Sequence, residues 1–313
     1  MARKTQAPAA SRYDVVIAGG GPAGLSAAMI LGRCRFRVVV VDAGRPRNRV
    51  VRAMHGFLGR DGAAPLELIR LGRREVARYG VELLAGEVRD AVRSDDGGFN
   101  VTVAGGRRLH GRRLLLATGV EDPLPAVPGL AELYGISVFH CPLCDGWEVR
   151  DRPLALYGRG GAAARFALRL SRWSADLVLL TDGPTRLSRH QRTTLERAGV
   201  VVRSERVAAL EARRGRLARV RFANGEALPR HTLFFGTRPR QASDLAARLG
   251  VRFTSKGMVQ ANRQEETGVP GLYVAGDASR DVQLAVIAAA EGTKAGVAIH
   301  ADLEKEGLLA PGR

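Results

Sequence analysis

Two copies of one glycine pattern, each set between a strand and a helix, constrain this chain more than any other feature. The first is Gly19-x-Gly21-Pro22-Ala23-Gly24. It follows the strand-like run Tyr13–Ile17 and precedes a helical pattern over Leu25–Leu31, and a second strand-like run, Arg37–Val41, ends at Asp42. This is a β-α-β unit in about 30 residues. In such a unit the first glycine permits the tight turn and the second lets backbone approach a pyrophosphate. The third lets helix and strand pack closely. The helix start offers unpaired N–H groups and a positive dipole end to phosphates. Asp42, 18 positions beyond Gly24, is placed to accept hydrogen bonds from a ribose.

The second unit starts with a strand at Leu154–Tyr157, turns through Gly158-x-Gly160-x-x-Ala163, continues as a helix over Ala164–Arg172 and returns as a strand over Leu177–Leu180. Its acid is Asp182, 19 positions beyond Ala163. An acid at this point favours the free 2′-hydroxyl of NADH and repels the 2′-phosphate of NADPH. Two such units suggest two dinucleotides. The competing reading is a repeated domain that has lost its second ligand, with Arg159 in the turn either binding a phosphate or filling its place. Further strands are expected at Leu83–Val88, Phe99–Val103, Leu109–Leu116, Val200–Arg203, Ala218–Phe222, Thr232–Phe235 and Gly271–Val274. The last leads into Ala275-Gly276-Asp277 and a final helix. Turns are expected at Asp95–Gly98 and Asn224-Gly225, and Pro123–Pro128 and Pro239 mark the crossings between domains.

A chain of 313 residues is long enough for two domains with separate cores. No stretch reaches the roughly 18 uninterrupted apolar residues that a membrane span needs; Val282–Ile299 is broken by Glu291 and Lys294. Residues 1–12 are polar and basic with no apolar segment before Tyr13, so they read as a loose, disordered tail on a cytoplasmic protein and not as a secretory signal. The net charge is +18, yet the arginines that carry it are spread along the chain and not clustered with stacking aromatics. That pattern argues against nucleic acid. It leaves a solvated basic surface, or one that attracts an acidic protein partner.

The three cysteines are Cys34, Cys141 and Cys144. Cys141-Pro142-Leu143-Cys144-Asp145-Gly146 carries the chemistry. Proline suits the first helical position, and a thiol at a helix start has a lowered pKa. A structural zinc site needs four ligands, whereas only His140 and the distant Cys34 are available besides the pair. A c-type haem site needs histidine after the second cysteine, where Asp145 stands. No metal is therefore expected, and redox exchange is the reading of choice. Cys34, on the first helix, reads as an ordinary buried thiol.

The order GGGPAG, LLLATG (Leu114–Gly119), CPLCDG, GRGGAA and YVAGDAS (Tyr273–Ser279) resembles the low-molecular-weight thioredoxin reductases among the FAD-dependent pyridine nucleotide-disulfide oxidoreductases. The resemblance covers nearly the whole chain after the tail. It implies an α/β protein of two Rossmann-like dinucleotide-binding domains, three-layered, with the smaller inserted in the larger. Residues 13–121 and 241–313 would form the FAD-binding domain. Residues 122–240 would form an NAD(P)-binding-like domain that carries the cysteine pair. It also implies a homodimer. Electrons would pass from nicotinamide to flavin to Cys141/Cys144 and on to a thioredoxin-like protein or a small-molecule disulfide or dithiol.

By the same resemblance Ala117, Thr118 and Gly119 lie beside FAD, Gly276 and Asp277 bind its ribityl–pyrophosphate region, and Val88 sits near the adenine. Gln283 and Leu284 open a helix aimed at the flavin pyrimidine ring. Asp145 manages protons during exchange. NADPH-using members carry a basic cluster where this chain has Thr181-Asp182-Gly183, which favours NADH or no nicotinamide at all. The family's Arg-Gln-Ala is replaced by Gln283-Leu284-Ala285. The run through Gly146-Trp147-Glu148 also resembles the dithiol oxidases of dithiolopyrrolone and gliotoxin biosynthesis, which pass electrons to oxygen. Those enzymes usually have histidine at the position of Asp145.

Overall fold

The computed structural model describes residues 10–307, so the first nine residues of the expected tail lie outside the described residues. The chain forms two compact units. The first runs to Arg49, takes up again over Pro65–Glu121 and resumes from Arg240; the second comprises Val50–Ala64 and Asp122–Pro239.

The first unit is built on β1 (Ser11–Ala18), α1 (Pro22–Arg33), β2 (Val38–Asp42), α2 (Pro65–Ala77), β3 (Glu82–Ala85), β4 (Val88–Arg93), β5 (Phe99–Val103) and β6 (Arg108–Leu116). Its sheet has the order β3-β2-β1-β6-β5-β4, and the strand Leu272–Val274 pairs with β6. Strands β3, β2, β1, the end of β6 and Leu272–Val274 are parallel, while β4, β5 and the start of β6 form an antiparallel meander. β1 begins two residues before the expected Tyr13, because Ser11 and Arg12 pair with Leu109 and His110.

Period-2 alternation along β1 explains the layers. Val15 and Ile17 face α1 and the long helix Ala285–Lys305, sharing a core with Leu31, Val38, Leu115 and Tyr273. Val16 and Ala18 face the other way, into a core with Phe99, Val101, Leu109, Leu114 and Leu116 of the meander. Each such fully buried aliphatic side chain contributes about 1.5–3 kcal/mol relative to exposure. Two faces, each filled, give the three-layer arrangement.

The expected single strand Leu83–Val88 is two strands on opposite edges of the sheet. Gly86, with φ +153°, bonds through its amide to the Asp42 carbonyl (3.0 Å) and breaks the run between them. The apolar pattern alone carries no sign of that break. The short strands Val120–Glu121 and Arg240–Gln241 pair antiparallel where the chain leaves and re-enters this unit.

The second unit has a parallel sheet ordered Val201–Arg203, Leu177–Leu180, Leu154–Tyr157, Thr232–Phe235, Val138–Phe139. A separate antiparallel sheet comprises Val207–Arg213, Arg216–Phe222 and Ala227–Pro229. The helix Gly160–Leu170 buries Phe166, Ala167 and Leu170 against Leu154, Leu156, Leu179 and Phe234. The helix Arg189–Arg197 is set by a capping box in which the Ser188 hydroxyl accepts from the Gln191 amide (3.1 Å) and the Gln191 side chain accepts from the Ser188 amide (2.9 Å). That Ser-x-x-Gln signal was available in the sequence. The helix itself was hidden, because Leu195 is the one apolar side chain it buries and no helical period of apolar residues marks the segment. Among the described residues no helix is long and apolar enough to cross a membrane.

Candidate active site

The cysteine pair begins where the strand Val138–Phe139 ends. Cys141 is the N-cap of the one-turn helix Pro142–Asp145, with Pro142 at its first position as expected. The amides of Cys144 and Asp145 donate to the Cys141 carbonyl at 3.2 and 3.1 Å, which fixes the turn between the two sulfurs. Cys141 and Cys144 are joined as a disulfide with Cα atoms 5.3 Å apart. A Cβ at Gly146 would meet the Pro142 carbonyl oxygen at 2.4 Å and the Trp173 indole nitrogen at 2.8 Å, so only glycine follows Asp145 without a shift. Around the pair stand two outward apolar side chains, Leu143 (69% exposed) and Trp147 (65%). The Arg150 guanidinium lies 3.9 Å from the centre of the Trp147 ring and donates to the Trp147 carbonyl at 2.7 Å.

Asp145 ends the one-turn helix and is partly buried. Burial, with the Glu148 carboxylate adding repulsion, pushes its carboxyl up to about 7, and His55 partly offsets the shift. His55 reaches Glu148 through Nε2 (3.4 Å) and Asp61 through Nδ1 (3.5 Å). A carboxyl that titrates near neutral pH can give or take the proton that thiol–disulfide exchange moves. His140, weighed above as a metal ligand, instead meets the Tyr134 hydroxyl through Nδ1 (3.0 Å), with the buried Asp122 carboxylate 3.8 Å from Nε2. Cys34 is the C-cap of α1 and is half-buried, not fully buried as expected.

The first glycine turn lies at the carboxyl ends of the parallel strands. Gly21 is the N-cap of α1, and Pro22, Ala23 and Gly24 form its first turn. A Cβ at Gly19 or Gly24 would meet a carbonyl oxygen at 2.2 or 1.9 Å, whereas one at Gly21 would meet nothing within 4 Å. Tight packing at two glycines and open space at the helix start suit a pyrophosphate-bearing dinucleotide. Asp42 ends β2; its carboxylate accepts from the Gly44 amide (3.1 Å) and pairs with Arg73 of α2. A cavity of about 470 Å³ beside it is lined by Asp42, Gly44, Arg45, Arg73, Gly86 and Glu87.

The remaining expected flavin-side residues stand in the same unit. Ala117, Thr118 and Gly119 follow β6, with the Ala117 amide bonded to the Ala18 carbonyl (2.8 Å). Gly276 and Asp277 follow the strand Leu272–Val274, and the Gly276 amide donates to the buried Glu291 (3.0 Å). Gln283 precedes the final helix and Leu284 is its N-cap, so the helix starts at Ala285, slightly later than expected. Val88 opens β4 and is buried against Val103. Arg47 donates from Nη1 to Asp277 (2.9 Å) and to Gln283 (2.6 Å). Sequence reasoning missed Arg47, Arg73 and His55, for each comes from a separate segment with no motif of its own.

The second glycine turn is internally engaged. Gly160 and Ala163 stand in the first turn of their helix, and Gly158 precedes it. The Gly160 amide donates to the Thr185 hydroxyl at 3.0 Å. Asp182 lies two residues past the strand, in a left-handed conformation. One of its carboxylate oxygens accepts from the Val207 amide (2.9 Å), the other from the Tyr157 hydroxyl (2.9 Å) and Arg159 (2.9 Å). Burial opposes its ionisation, but the Val207 amide, Tyr157 and Arg159 together hold the carboxyl below its usual range. Arg159 also donates to the carbonyls of Thr181 (2.8 Å) and Asp182. A nucleotide bound here would have to displace these internal contacts.

Comparison with known proteins bears on the whole chain. The thioredoxin reductase aclD of Aspergillus oryzae is 31% identical, with 94% of this chain and 98% of that one covered. The solved structure of HlmI is 38% identical with a TM-score of 0.90, covering 97% of this chain and 95% of its own. An oxidoreductase from Agrobacterium tumefaciens is 35% identical with a TM-score of 0.87, covering 94% and 99%. The family described as pyridine nucleotide-disulphide oxidoreductase matches residues 13–292, a match that implies sites for FAD and for a nicotinamide nucleotide. With both glycine turns, a disulfide-bonded Cys-x-x-Cys and a matching fold, this chain belongs to the pyridine nucleotide-disulphide oxidoreductase family and is thioredoxin reductase-like.

Proposed function

We propose that this protein is an FAD-dependent dithiol–disulfide oxidoreductase that passes electrons from flavin through Cys141 and Cys144 to an external disulfide. The observation that carries this reading is the disulfide Cys141–Cys144 beside a carboxyl raised to about 7 at Asp145. A thiolate opens the partner's disulfide through a mixed disulfide, and the second thiolate closes the protein's own. The proton released or required in that exchange is held at the Asp145 carboxyl. FAD, when bound, supplies the two-electron couple that re-reduces the pair. The partner is a thioredoxin-like protein or a small-molecule disulfide, the setting cytoplasmic and the assembly a homodimer. Of the two nicotinamide donors NADH suits Asp182, whose carboxylate repels a 2′-phosphate.

A second reading reverses the flow: a dithiol reduces Cys141–Cys144, and the electrons leave through the flavin to oxygen. The internal engagement of Asp182 by Arg159, Tyr157 and Val207 favours it, since the nicotinamide turn is then self-filled. Anaerobic titration of the yellow protein with NADH and then NADPH separates the two. Bleaching by NADH supports the first reading. Bleaching by neither nucleotide, but by a dithiol, supports the second; faster bleaching by NADPH contradicts the preference assigned to Asp182.

A further inference from the structure

Arg47 belongs to neither glycine turn, yet it reaches two of the residues assigned to the flavin. Its Nη1 stands 2.9 Å from the Asp277 carboxylate and 2.6 Å from the Gln283 side-chain oxygen. The ion pair is largely withdrawn from water, with side-chain exposures of 17% and 20%. The neighbouring charges already have partners: Arg280 bridges Glu265 and Glu291, Lys294 pairs with Glu265 (2.5 Å), and Glu291 also takes the Gly276 amide. Arg47 pairs with Asp277, and it comes from the short 3-10 turn Arg47–Val50, far away in sequence.

Gln283 carries a second consequence. It stands where the family has arginine, immediately before the helix that is aimed at the flavin. Its amide nitrogen donates to the Arg280 carbonyl (3.2 Å), while its oxygen accepts from Arg47. Arg47 thus brings a guanidinium to the Gln283 side chain from another segment.

We propose that Arg47 is a positioning residue of the flavin site, holding Asp277 and Gln283 in place and supplying the positive charge that favours bound, reduced FAD. The inference rests on the FAD reading above. A cation beside the flavin stabilises the negative charge that reduction adds. Without it, Asp277 and Gln283 lose the guanidinium they share and the site loses a positive charge. Affinity and potential should therefore fall together.

Apoprotein titrated with FAD, and potentiometry of the reconstituted flavin, test this in wild type, R47Q and R47K. R47Q should bind FAD at least tenfold more weakly. Its two-electron potential should drop by a tenfold change in the redox equilibrium, about 30 mV. R47K keeps the charge but not the forked reach, so it should keep the wild-type potential while losing part of the affinity. Wild-type affinity and potential in R47Q would overturn the role of Arg47 alone. A potential lowered equally in R47K would overturn the charge argument. Should R47Q not fold, wild-type FAD affinity in R47K would overturn the proposal by itself. Failure of the wild-type protein to take up FAD would instead overturn the cofactor reading beneath it.

Discussion

Asp145 is where burial and chemistry meet most closely. Its carboxyl stands at about 7 in the folded chain, against an ordinary value near 4. The folded state therefore keeps a proton that the unfolded chain has lost. That contribution to stability is fully present below about pH 4 and is lost progressively as pH rises to about 7. D145N cannot ionise, so its melting temperature relative to wild type should rise from about pH 4 to about pH 7 and level off above it, read by thermal unfolding across that range. Its exchange activity should fall by about 10²-fold and lose the pH inflection near 7. Because Glu148 raises the carboxyl and His55 lowers it, E148Q should move the inflection to lower pH. An inflection that stays fixed in both D145N and E148Q would assign it to another group.

Cys141, Cys144 and Asp145 were legible in the sequence because they are neighbours in a single turn, where spacing alone determines geometry. His55, Arg47 and Arg73 were not. Each acts across a sequence gap that only the folded chain closes, and an isolated charged residue in an arginine-rich sequence carries no mark of its partner.

At the scale of elements, the two glycine turns look alike in sequence and differ in structure. Strand, turn, helix and terminal acid recur in both, so period and glycine spacing were enough to place them. What those signals leave out is whether the donors and acceptors point outward. In the first turn Gly21 opens onto empty space, while in the second Thr185 takes the Gly160 amide and Arg159 takes Asp182. Arg159 was read as either a phosphate ligand or a filler, and its bonds to Thr181 and Asp182 favour the filler. Removing that guanidinium takes away one of the three donors that engage the carboxylate and opens room for a ribose. R159A should therefore bind NADH about tenfold more tightly, as expected for release of a charged hydrogen bond. Titration of the holoprotein with NADH would measure this, and an unchanged affinity would show that Arg159 does not compete with the nucleotide. The split of Leu83–Val88 into β3 and β4 belongs to the same scale: the hydrophobic run was visible, but its break depends on Gly86 meeting the Asp42 carbonyl.

For the whole molecule, repetition of one β-α-β unit in a chain of this length already pointed to two nucleotide-type folds. The second sheet's antiparallel companion, Val207–Arg213 with Arg216–Phe222 and Ala227–Pro229, was only partly visible, because its strands mix arginine with apolar residues on a half-exposed surface. The segment Val50–Ala64 was harder still. It lies between two pieces of the first unit in sequence but clusters with the second, and it brings His55 to Glu148. The proposed function depends on electrons passing between Cys141/Cys144 and a flavin held by the first glycine turn. Anaerobic titration of the flavoprotein with a dithiol, in wild type and in C141S and C144S, tests that dependence. The wild-type flavin should bleach, and both serine variants should keep their FAD yet stay yellow. Bleaching that persists in both variants would contradict the role of the pair.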